Sequence, residues 1–200
     1  MVLPQKKIRE IVFQCLYSRD FGSSADCHER AHLLMKELHV TKKALRDAEA
    51  KVEILLSHRD EIDKKLTDAS TSYSFGRIQS VERNILRLGV FELFYETLPG
   101  EVVIAEAVRL TRKFSTPEAS AFVNAVLDAI YKSMKGEVND QEHLQQVIEN
   151  FTASEQAAQD STTAAQDSTA AAQDGTAAAQ DSTAVAQDST TAAQDSTTNE

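Results

Sequence analysis

Three groups of residues have the types and spacing to do chemistry. His28-Glu29-Arg30-Ala31-His32 sets two imidazoles one helical turn apart with a carboxylate beside the first, the HExxH arrangement in which zinc is held and water activated. That pattern fixes only three residues, Arg30 puts a cation beside the metal, and no further histidine follows before His39 and His58. A solvated or partly buried histidine pair is therefore the preferred reading, and a zinc hydrolase using His28, Glu29 and His32 is the distant alternative. No Ser/His/Asp arrangement has motif support and no Gly-rich phosphate loop occurs. The sequence accordingly predicts no enzyme, no catalytic residue, no cofactor and no metal.

The second group is a single carboxylate. Glu92 shares a helical stripe with Val81, Ile85 and Leu88, so it is expected to be buried and to need a cation or several donors. The third group is basic and aromatic. On a helix beginning near Pro4, residues Lys6, Arg9, Phe13 and Tyr17 fall within an arc of about 80°, away from the apolar stripe, with Lys7 on its flank. Cations interleaved with aromatics suit RNA, the former for phosphates and the latter for stacked bases. The competing reading is that another helix or a partner covers this face.

The elements that must carry these groups are helical. All three prolines fall between periodic segments, and alternating β-branched stretches are nearly absent, the pattern of an all-α domain. The first helix buries Ile8, Ile11, Val12, Cys15 and Leu16. Further helices are predicted over about Asp26–Leu38, Lys42–Ser57 and Arg59–Thr67, with Asp68–Ser74 as a loop. The segment SVERNILRLGVFELFY, capped by Ser80, is apolar almost all round and is expected at the centre of the fold. Leu98-Pro99-Gly100 then turns the chain into a helix over Val102–Phe114. Thr116 caps the next, with Pro117 in its first turn and Ala119, Val123, Val126, Leu127 and Ile130 facing inward until Gly136 ends it. A weaker helix over Asp140–Phe151 completes the body.

Charge divides the chain unevenly. The formal balance is −10 over 200 residues, but from Thr152 onward there are eight carboxylates and no Lys or Arg, so residues 1–151 carry 21 cations against 23 anions. The acidic whole thus says nothing against an RNA partner for the body. Residues 152–200 repeat Ala-Gln-Asp-Ser-Thr in sevens, yet Ala alone cannot form a coiled-coil seam, so a disordered acidic tail is expected. The two domains expected are thus 1–151 and 152–200. No apolar run approaches the roughly 18 residues needed to span a bilayer and no secretion signal opens the sequence. Cytoplasmic localisation follows, with no membrane partner and with Cys15 and Cys27 reduced.

The stretches REIVFQCLYSRDF and SVERNILRLGVFELFYETLPGEVVIAEAVRLTRKFSTPEASAFVNAVLDAI closely resemble the NusB family of transcription antitermination factors. Val81-Glu82-Arg83-Asn84-Ile85-Leu86-Arg87, the run from Pro99 to Ala107, and Phe122-Val123-Asn124 with Val126-Leu127-Asp128 carry the resemblance, which spans about residues 4–135. It implies an all-α fold of about seven helices in two packed sub-bundles and no catalysis. It also implies binding of boxA-type RNA in ribosomal RNA leaders together with the NusE-type small-subunit ribosomal protein, and loading onto RNA polymerase with other Nus factors.

The resemblance assigns RNA contact to Lys6, Lys7 and Arg9, and to the segment from Glu118 to Asn124 including Phe122. Tyr17 and Glu82 match the partner-contacting surface. Gln5 and Ala121 stand where the family is usually basic, which motivates an alternative: a protein-only adaptor without RNA contact. Phe122 is expected at the edge of its helix's core stripe, facing either RNA or the interior.

Overall fold

The computed structural model describes residues 3–21, 33, 35–37, 40–69, 74–137 and 142–158. The chain divides into two units, Met1–Thr152 and Ala153–Glu200, and the hydrophobic core belongs to the first. Among the described residues the regular elements are all helical: α1 (Gln5–Arg19), α2 (Lys42–Ser57), α3 (Arg59–Ala69), α4 (Ser80–Tyr95), α5 (Gly100–Phe114), α6 (Pro117–Lys135), and α7 over 142–158, with a single 3₁₀ turn at Phe75–Arg77 before α4. The helix expected over 26–38 falls mostly outside the described residues, where Leu33 and Met35–Glu37 are helical. Of the expected tail, residues 152–158 are described and continue α7 as helix in place of the expected disorder; the rest of the tail, the His28-Glu29-His32 motif and Cys27 lie outside the described residues. None of the described helices is long and apolar enough to cross a membrane.

α4 holds the fold together. It packs against α1, α2, α3, α5 and α6, and every residue from Asn84 to Leu93 is buried. Such a helix needs apolar side chains around its whole circumference, and its sequence provides them. α5 and α6 form an antiparallel pair, and α1 packs on α2. The shared core includes Ile11, Val12, Leu16, Leu55, Ile62, Leu66, Ile85, Leu86, Leu110 and Leu127.

Local signals explain the helix ends. Thr116 Oγ1 accepts from the Ala119 amide at 3.2 Å, satisfying one of the free donors that open α6. Gly136 closes the same helix with φ 73°, the left-handed conformation glycine adopts without steric cost. The sequence places a cap at Ser80, but Gln79 holds the N-cap position and Ser80 is already helical. Its hydroxyl accepts from Arg83 Nη2 at 3.1 Å instead.

Two buried ionic contacts fix the helices about α4. Arg87 donates from Nε and Nη2 to the two oxygens of Asp63 at 2.7 and 2.8 Å, a fork that ties α3 to α4. Glu92, the buried carboxylate expected from sequence, accepts from Arg9 Nε at 2.9 and 3.0 Å and from Lys51 Nζ at 3.2 Å. One carboxylate thereby joins α1, α2 and α4.

Candidate functional site

α1 lies alongside α5 in parallel. The contacts step together along both helices: Arg109 Nη2 donates to the Lys6 carbonyl at 3.2 Å, Lys113 Nζ to Glu10 at 2.6 Å, and the Phe13 and Phe114 rings stand 4.9 Å apart. α4 runs the opposite way, placing Glu92 against Arg9 and Asn84 Nδ2 at 2.7 Å from Asp20. The two ends of α1 therefore face different chemistry.

The N-terminal end is cationic. Lys6 is exposed and Lys7 half-buried, and α5 adds Arg109 and Lys113 beside them. Two largely buried carboxylates lie beneath: Glu106 accepts from Arg109 at 2.9 Å, and Glu10 binds Lys113 and, at 3.5 Å, Lys7. Burial pushes the Glu10 carboxyl up, but the Lys113 hydrogen bond and the charges of Lys7 and Lys113 more than offset it and hold it below the ordinary carboxylate range. Arg109 and Lys113 are not marked by the periodicity of any single helix, because they join Lys6 and Lys7 only when α5 is laid beside α1. The sequence signal for them is the basic last turn of α5.

The structure corrects two expectations on α1. Arg9 is not an outward cation: it is 6% exposed and committed to Glu92, because the polar arc on α1 is narrower than the contact made by α4. Phe13 is likewise 2% exposed, packed against Phe114 and Tyr17, and has no free face for a base.

The C-terminal end of α1 is aromatic. Phe114, Phe13, Tyr17 and Phe21 form a continuous ladder with ring separations of 4.9, 6.0 and 4.8 Å. The spacing of Phe13, Tyr17 and Phe21, each four residues on, puts them along one face, and Phe21 at its end is exposed. Phe13, Gln14, Tyr17, Ser18, Val81 and Phe114 line a cleft of about 360 Å³. Glu82 follows Val81 directly but is buried, not displayed on the surface as expected of a partner-contacting residue. The Ser115 hydroxyl donates to its Oε1, and its Oε2 is buried with no hydrogen-bond partner among the described residues. A buried carboxylate oxygen left unpaired is costly and so favours any donor brought to it.

Phe122 resolves into the interior. It is fully buried and stacks on Phe151 of α7 at 4.5 Å with the rings nearly parallel, so its expected contact with RNA is corrected to core packing. Its wheel position left both outcomes open; α7 decides between them. Glu118, Ala121 and Asn124 are exposed on the same helix.

A helical body whose cationic edge runs into an aromatic cleft has the layout of a protein that works by binding. The comparisons with known proteins give its class: a transcription antitermination factor. The NusB family matches residues 6–132, and the chain belongs to that family, whose proteins are transcription factors and not enzymes. The transcription antitermination protein NusB of Chlamydia pneumoniae is 38% identical over 129 residues, covering 64% of this chain and 80% of that protein. The structure of T. maritima NusB aligns with a TM-score of 0.54 at 29% identity, covering 66% of this chain and 93% of the other. A crystal structure of antitermination factors NusB and NusE in complex with dsRNA aligns at 0.55 and 32%, covering 64% and 96%.

Proposed function

We propose that the body, residues 1–151, binds boxA-type RNA of ribosomal RNA leaders together with the NusE-type small-subunit ribosomal protein, acting in the cytoplasm and joining RNA polymerase with other Nus factors. The observation that carries this reading is the division of α1: cations at one end, and at the other an aromatic cleft. The solved NusB and NusE complex with dsRNA supports the same pair of ligands by similarity. Lys6 and Lys7 contact phosphates, with Glu118 and Asn124 on the α6 side of the RNA. Tyr17 takes the partner protein at the cleft. Arg9, Glu82 and Phe122 have no direct part, because all three are buried. Residues 152–200 form an acidic appendage outside this machinery.

Titration of labelled boxA-like RNA with and without the purified NusE-type protein tests the reading. Cooperative ternary binding is expected. Binding of the protein alone leaves the protein-only adaptor, a reading that the loss of Arg9 from the surface favours, and binding of neither ligand overturns both.

A further inference from the structure

With Arg9 committed to Glu92, the N-terminal end of α1 by itself offers RNA only Lys6 and Lys7. Two cations are few for a ligand whose affinity is dominated by phosphate neutralisation. The geometry points to a second rank. Resting on the RNA-binding reading above, we propose that Arg109 and Lys113 of α5 are phosphate-contacting residues, and that the RNA backbone runs along the seam between α1 and α5 instead of along α1 alone.

The seam is ordered by its own carboxylates. Glu106 takes Arg109 at 2.9 Å and lies 4.0 Å from Lys6, while Glu10 joins Lys113 to Lys7. Each buried carboxylate thus holds one cation from each helix side by side. Lys6, Lys7, Arg109 and Lys113 together outnumber Glu10 and Glu106 by two positive charges, in a chain whose formal charge is −10. Such a local excess attracts a polyanion despite the overall balance. Cations held in a row lose less freedom on binding than freely rotating surface lysines, which lowers the cost of ordering them against phosphates. Beyond Lys113 the seam reaches Phe114, over whose ring the Lys113 ammonium stands at 5.3 Å, so the RNA path ends beside the cleft assigned to the partner protein.

The test is filter binding of single-stranded boxA-like RNA to the full chain across a salt series. Three proteins are compared: the unaltered chain, the single variant Lys113→Gln, and the double variant Arg109→Gln, Lys113→Gln. Every phosphate left without its cation lowers the log–log salt slope by about 0.7, so the slope is expected to fall by about 0.7 in the single variant and about 1.4 in the double. Circular dichroism melts accompany each. Should the double variant melt early, Lys113→Gln, whose amide still offers Glu10 a donor, decides the matter. An unaltered chain that binds RNA while Lys113→Gln keeps the full slope overturns the α5 assignment and leaves the RNA reading standing. An unaltered chain that binds no RNA overturns both.

Discussion

Arg9 and Phe122 show how a residue's type can be legible while its job is not. Helical periodicity puts Phe122 at the edge of its core stripe and Arg9 on the polar arc of α1, and in each case a neighbouring helix decides between solvent and interior. The deciding contacts come from Glu92, 83 positions away from Arg9, and from Phe151 on a later helix. Phe122→Ala is therefore expected to cost roughly 3–5 kcal/mol of stability in urea titrations, as for other buried aromatics. RNA affinity per folded molecule should stay unchanged. Glu92→Gln leaves Arg9 buried with a weaker acceptor and should cost about 3 kcal/mol or more, the scale on which a buried ion pair is broken. Glu92 is the easier case in sequence, because a carboxylate on an apolar stripe demands a cation whatever its source. At the far end of α4 the Tyr95 hydroxyl donates to Glu61 at 2.6 Å, and that hydrogen bond, with some burial, pushes the phenol up to about 12. A phenol that holds its proton longer folded than unfolded contributes stability fully present below about pH 10 and lost as pH rises towards 12. Tyr95→Phe should flatten that alkaline decline, measured as midpoint against pH.

At the scale of elements, the sequence is most legible where a side chain closes its own helix. Thr116 before Pro117 marks the start of α6, and Thr116→Ala should lower stability by about 1 kcal/mol through loss of the hydroxyl cap. Pro99-Gly100 is less transparent. It reads as a turn leading to a helix at Val102, yet the helix begins at Gly100, because the glycine admits the Tyr131 ring from α6. A Cβ at Gly100 would lie 2.2 Å from that ring. Gly100→Ala should accordingly destabilise by roughly 1–3 kcal/mol, the usual cost of overpacking, with Gly100→Ala/Tyr131→Ala recovering part of the loss in a double-mutant cycle. Nothing local in the sequence distinguishes a glycine needed for a turn from one needed for close approach.

Over the whole molecule, the family match stops at residue 132, while burial continues through Leu144, Ile148 and Phe151 of α7. A chain ended after Thr152 should keep its melting midpoint within a few degrees, whereas one ended after Glu137 should lose more than about 10 °C, since three large apolar side chains leave the core. Calorimetry of the two truncated chains checks this. The long-range closure of the fold also has a consequence in time. Arg9 leaves the ribosome 83 residues before Glu92, which at ordinary rates of synthesis is a wait of about 4–17 s. Throughout that wait the guanidinium has no buried counter-charge, and the apolar side of α1 has no α4 to lie against. Of the two helices α1 is made first and secured second, so the newborn chain must shelter its earliest helix until its central one has been translated.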